Sequence, residues 1–185
     1  MSRTRMSAQD WLELGLRALA EKGPSGLTIE ALCRRAQRTK GSFYAHFPDA
    51  ATFVRRLADH WRAQHTERLL ERARADADRR AVLDRLALGL DLDVEREMRR
   101  LAAGNAEAAE ALREADRERL AFLAEEHRRG GSSPADARAL ALLEYALFLA
   151  YLQNPPADRE HFADAYERFL RIVERSSARS RPEER

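Results

Sequence analysis

Apolar positions along the chain recur at helical spacing. From about Ser7 to Lys22, Ala8, Trp11, Leu12, Gly15, Leu16 and Leu19 fall on one face behind a capping-box-like Ser7 and Asp10, and Gly23-Pro24 ends the run. Thr28 caps a short helix to about Arg35 with Ile29, Leu32 and Cys33 inward, and Thr39 caps another through Ala45, anchored by Phe43 and Phe47. Asp49 opens a long helix to about Asp76, with Phe53, Leu57, Trp61 and later Leu69 in register. Further helices are predicted at about 79–90, 93–103, 105–129, 134–153 and 158–176, and none of the six prolines falls in a helix interior. The residues from Ser177 onward have no apolar anchor and read as a disordered tail.

Composition supports the pattern. Only 11 of 185 residues are Val, Ile or Thr, too few for an ordinary sheet, so the expected fold class is all-α. A charged fraction of 35% argues against a membrane protein, and the most apolar stretch, Leu140 to Leu152, is short and interrupted by Glu144. The amino terminus shows no apolar run or cleavage site, so the chain is expected in the cytoplasm. Cys33, the only cysteine, permits no internal disulfide and reads as an inward structural thiol. His60 and His65, five apart, do not share a helix face, and no Glu-x-x-His pair occurs, so neither metal nor cofactor is expected. No Gly-rich phosphate loop, Gly-x-Ser-x-Gly elbow or nucleophile–base pair appears, so no enzyme chemistry is expected.

Charge separates two regions. Residues 1–65 carry 11 Lys/Arg against six Asp/Glu, whereas residues 66–185 carry 22 against 25. A basic first third suits a polyanion, because cations that neutralise phosphates release counterions. Within it, the helices capped by Thr28 and Thr39, joined by Ala36-Gln37-Arg38, have helix-turn-helix dimensions, with the second helix placed for a major groove. On that helix Lys40, Gly41, Ser42 and Tyr44 supply charge, close backbone approach, a hydroxyl and a phenol.

The segment from Gly23 to Asp49, with Thr28, Thr39-Lys40-Gly41-Ser42-Phe43-Tyr44 and His46-Phe47-Pro48, resembles the DNA-binding signature of TetR-type (TetR/AcrR) transcriptional regulators. Arg113, Asp116 and Arg119 through Leu123, followed by a Gly-Ser-Pro turn and a Leu/Ala-rich helix, resemble the effector domain of such proteins. The resemblance implies that Thr28 and Tyr44 hold phosphates, that Lys40 reaches DNA, that Gly41 and Ser42 lie in the groove with Thr39, and that His46 adds a phosphate contact. Gln37 stands where the family commonly has glycine, Arg38 where it has an apolar residue, and Ala50 where it has lysine; Arg38 or Arg35 could replace the missing contact.

The implied organisation is a helix-turn-helix domain at 1–48, then a helical effector-binding and dimerisation domain at 49–176 in which 49–65 is a connecting helix, then the tail at 177–185. The implied partners are a palindromic operator in double-stranded DNA, a small-molecule effector and a second copy of the chain, with no membrane. Candidate effector-lining residues are Leu86, Leu90, Met98, Leu101, Leu120, Leu123, Tyr145 and Phe148. Candidate dimer stripes are Leu140, Leu143, Leu147 and Tyr151 on one helix and Phe162, Tyr166, Phe169 and Val173 on the next. The competing reading is a helical dimeric ligand-binding or interaction module whose DNA head is weakened by Gln37, Arg38 and Ala50.

Overall fold

The computed structural model describes residues 5–153 and 164–173, apart from the side chains of 86–88. Among these residues every regular element is a helix: α1 (Ala8–Lys22), α2 (Ile29–Ala36), α3 (Lys40–Tyr44), α4 (Ala50–Arg62), α5 (Arg68–Ala75), α6 (Arg79–Leu88), α7 (Leu92–Gly104), α8 (Ala106–Arg129), α9 (Pro134–Gln153) and α10 (164–173). A 3₁₀ turn, Gly23–Leu27, follows α1, and a π turn, Ala63–Glu67, joins α4 to α5. Phe162 and the tail from Ser177 lie outside the described residues. None of the described helices is long and apolar enough to cross a membrane.

The caps form where the hydroxyl and carboxylate residues stand. Ser7 and Asp10 close a reciprocal capping box on α1, while Thr28, Thr39 and Asp49 accept from the third backbone N–H beyond them and start α2, α3 and α4.

The single long helix expected over 49–76 is corrected by the π turn. Its buried positions run Phe53, Leu57, Trp61 and then Thr66, Leu70 and Ala73, so the step after Trp61 is five residues instead of four. The extra residue rotates everything beyond it, and Leu70 takes the inward place expected for Leu69, which is only half-buried. The same turn overturns the inference that His60 and His65 point apart: a five-residue turn brings i and i+5 together, and both line one open cleft of about 680 Å³ with Glu13, Arg17 and Gln64. Burial pushes His60 below its ordinary value of 6.5, against the opposing pull of Glu13. The unfolded chain therefore binds the His60 proton more readily, and this group's contribution to stability is lost as pH falls below about 6.5.

The chain divides into two compact units, Met1–Ala115 and Asp116–Arg185. In the first, the core of the helix-turn-helix is aromatic. Phe43 packs against Trp11, Phe47 and Phe53 at ring-centroid distances of 5.4, 5.2 and 5.2 Å, and all four side chains are buried. α1 also packs on α7, so Met98 and Leu101 share one core cluster with Trp11 and Leu19. Glu95 of α7 is fully buried beside the π turn, where Trp61 Nε1 donates to its Oε1 at 3.1 Å and His65 Nδ1 stands 3.5 Å from the same oxygen. That pairing is what makes a buried carboxylate tolerable there.

Gly15 lets α1 lie directly on α4: a Cβ at this position would stand 2.8 Å from Phe53 Cζ and 3.0 Å from Leu57 Cδ1. Glycine in mid-helix costs roughly 1 kcal/mol relative to alanine, so the close approach explains its presence. Gly15→Val is accordingly expected to lower stability by about 1–3 kcal/mol through overpacking, read as a lower midpoint in urea unfolding. An unchanged midpoint would show that the helices can separate freely.

In the second unit, two polar clusters lie among the buried side chains. Tyr145 Oη donates to Asp116 Oδ1 at 2.6 Å, and Arg119 Nη1 lies 3.4 Å from the same phenol oxygen. Glu144 accepts from Tyr166 Oη at 2.6 Å and sits 2.8 Å from His127 Nε2, with Glu144 and His127 both buried. α8, α9 and α10 are stitched together through that one carboxylate.

Candidate nucleic-acid interface

α2 and α3 are joined by a tight turn whose geometry is set at Gln37. Its φ of 53° and ψ of 45° make it left-handed, and its N–H bonds back to the Arg34 carbonyl. It is the one non-glycine residue with positive φ among those described. The turn thus keeps its shape without the glycine, at a cost set by the Cβ. Gln37→Gly is expected to raise stability by up to about 1 kcal/mol, since relief of the left-handed Cβ strain outweighs the extra freedom given to the unfolded chain. Thermal unfolding checks this, and a lowered midpoint would mean that the Gln37 side chain compensates its own strain.

The turn presents α3 with one face in and one face out. Phe43 is fully buried, whereas Lys40 and Gly41 are exposed, Ser42 is half-buried and Tyr44 is 49% exposed. Gly41 is not required by the protein interior, because a Cβ there would meet only Thr39 Oγ1 at 3.7 Å. A glycine that nothing inside the protein demands fits close approach by an outside partner. Thr28 and Thr39, the two cap residues, are exposed at neighbouring helix starts, and Arg38 between them is half-buried.

Several of the singled-out side chains have partners within the protein. Lys40 Nζ donates to Glu30, and this bond raises the lysine above its ordinary value while holding the glutamate below its own. Because Glu30 is lowered, its contribution to folding is present above the ordinary carboxylate range and is lost as pH falls through its lowered value. Arg35 donates to both Glu21 oxygens, at 2.6 and 2.5 Å. His46 Nε2 donates to the Met6 carbonyl at 2.9 Å, tying the residues before α1 to the end of α3, so only the imidazolium form would have an Nδ1–H to offer a phosphate. Burial pushes the Cys33 thiol up, as expected of an inward residue. Sequence reasoning did not foresee the Glu30, Glu21 and Met6 partners, which are brought close only by the turn and by the packing of α1.

The effector candidates fall in both units. Met98 and Leu101 are core residues of the first, Leu90 is half-buried, and the Leu86 side chain lies outside the described residues. In the second, Leu123 and Tyr145 are buried, Leu120 and Phe148 are half-buried, and the Tyr145 and Phe148 rings stack at 5.8 Å. Of the dimer candidates, Leu143 and Leu147 are exposed, Leu140, Tyr166, Phe169 and Val173 are half-buried, and Tyr151 is buried. Leu142 and Ile172, not singled out from the sequence, are among the most exposed large apolar side chains. No described group of three or more His, Cys, Asp or Glu is placed to hold a metal ion.

Two short capped helices across a tight turn, the second anchored by a buried phenylalanine and facing outward with Lys40 and Tyr44, define a helix-turn-helix DNA-binding protein. Residues 12–57 match the family model of bacterial regulatory proteins of the tetR family, so the chain carries the amino-terminal helix-turn-helix domain of that family. No curated protein sequence matches it. Its fold is similar along nearly its whole length to solved structures. A protein described as a transcriptional regulator from Pseudomonas aeruginosa PAO1 has a TM-score of 0.71 at 18% identity, with 96% of this chain and 97% of that one covered. A TetR-family regulator from Mesorhizobium loti MAFF303099 gives 0.64 at 19%, covering 93% and 98%. NalD, the secondary repressor of the MexAB-OprM multidrug efflux pump in Pseudomonas aeruginosa, gives 0.57 at 21%, covering 91% and 97%.

Proposed function

We propose that the protein is a homodimeric repressor that binds a near-palindromic operator in the cytoplasm and is released by a small molecule held in the helical region after residue 48. The observation that carries this reading is the division of α3 into a buried anchor, Phe43, and an outward face of Lys40, Gly41 and Tyr44. Lys40, Tyr44 and Thr28 meet phosphates, Thr39, Gly41 and Ser42 approach the groove, and His46 in its imidazolium form adds a backbone contact through Nδ1–H. α9 and α10 meet their copies across a twofold axis, since Leu143, Leu147 and Ile172 are apolar and exposed. For the effector, the Asp116–Tyr145–Arg119 cluster beside Leu120, Leu123 and Phe148 supplies polar groups at an apolar surface, the combination small-molecule sites share. The repressor role is supported by the fold likeness to NalD.

Selection from a random duplex library tests the reading. The expected product is an inverted repeat whose half-sites lie about 34–36 Å apart, one turn of DNA. No enrichment, or a single unrepeated half-site, would contradict it. On the selected operator, Arg38→Ala distinguishes two roles. A guanine contact would cost about 1–3 kcal/mol at one base pair and relax preference there, whereas a backbone contact replacing the one absent at Ala50 would weaken all sequences alike.

A further inference from the structure

The head occupies two of its cations with its own carboxylates. Lys40, the first residue of α3, donates to Glu30 in the first turn of α2, and the two side chains are 57% and 61% exposed. Arg35 and Glu21 pair in the same way between α2 and α1. Neither pair is needed to hold these helices together, because Leu32, Cys33 and Phe43 are buried between them and exposed ion pairs add little to a fold. The Glu30 carboxylate instead takes one of the three N–H donors of Lys40 and offsets its charge, so a phosphate would have to draw the ammonium away from it.

We propose that Glu30 sets the DNA affinity of the head by competing with a backbone phosphate for Lys40. The inference rests on the assignment of Lys40 to a phosphate. Binding exchanges one carboxylate for one phosphate, and the uncovered Glu30 is left as an anion beside the DNA. The gain from that contact is small, and so is its share of counterion release, because the freed carboxylate draws cations back as the phosphate sheds them.

The experiment measures affinity for the selected operator and for a random duplex, at two salt concentrations, for the wild type, Glu30→Gln, Lys40→Ala and the double variant. Glu30→Gln is expected to tighten binding to both duplexes by roughly two- to tenfold at low salt and to steepen the salt dependence by up to about one unit. On the Lys40→Ala background the gain is expected to shrink to a minor part, because no lysine remains to be released and only the repulsion between Glu30 and the DNA is relieved. Thermal unfolding of each variant confirms a folded head. Looser or unchanged binding by Glu30→Gln would overturn the proposal, since Glu30 would then orient Lys40 or play no part. A gain that persists in full on Lys40→Ala would also overturn it, by showing that Glu30 repels DNA through its own charge. If Lys40→Ala leaves wild-type binding unchanged, the phosphate assignment fails and the competition with it. If Lys40→Ala weakens binding while Glu30→Gln fails to tighten it, the competition alone is lost.

Discussion

Phe43→Ala is expected to abolish DNA binding by unfolding the reading head, not by removing a contact with DNA. The side chain is fully buried and its ring touches Trp11, Phe47 and Phe53, so truncation removes the piece on which α1, α3 and α4 converge. Burying a phenylalanine and then emptying its place costs about 3–5 kcal/mol, a large part of the roughly 5–15 kcal/mol by which a domain is stable. Near-UV circular dichroism and thermal unfolding should both show the loss, with DNA binding gone under the same conditions. Tyr44→Phe is the contrast next door. Its ring is half exposed, so unfolding should be unchanged while affinity falls through one lost hydrogen bond. A Phe43→Ala protein that unfolds at the wild-type midpoint would contradict the anchoring role.

The second large effect is expected from Leu143→Arg combined with Leu147→Arg. The two leucines are 56% and 36% exposed and four residues apart on one face of α9, near no other described use. In an isologous interface each substitution enters twice, so four guanidinium groups would be brought together and stripped of water. Light scattering should report a monomer, and operator affinity should drop by about a hundredfold or more, because two half-sites would no longer be held by one particle. A well-folded dimer of unchanged mass would show that the subunits meet elsewhere.

Much of the reading head is legible in the sequence because its signals are local. Ser7, Thr28, Thr39 and Asp49 cap helices within three residues of themselves, and Gln37 takes its left-handed conformation from the turn that immediately surrounds it. The π turn left no such mark. Leu69 and Leu70 are both leucine, so a rotation of one residue exchanges one apolar side chain for another and the periodicity looks unbroken. The buried carboxylates Glu95 and Glu144 were illegible for another reason. Their partners, Trp61 and His65 for one and His127 and Tyr166 for the other, are 17 to 34 residues away and become neighbours only when helices pack. The Glu30–Lys40 pair is of the same kind across a shorter span, since the turn at Gln37 determines which carboxylate Lys40 meets.

The salt dependence of DNA binding by Lys40→Ala beside the wild type tests the central claim most directly. If α3 delivers Lys40 to a phosphate, the variant should bind the selected operator and a random duplex more weakly by a similar factor, with the magnitude of the log–log salt slope reduced on each by less than one unit while Glu30 is present and by about one unit when both proteins carry Glu30→Gln. If neither affinity nor slope changes on any duplex, and Tyr44→Phe is equally silent, α3 does not meet DNA as described, and the chain is better read as a helical ligand-binding module that has kept the shape of a DNA-reading head.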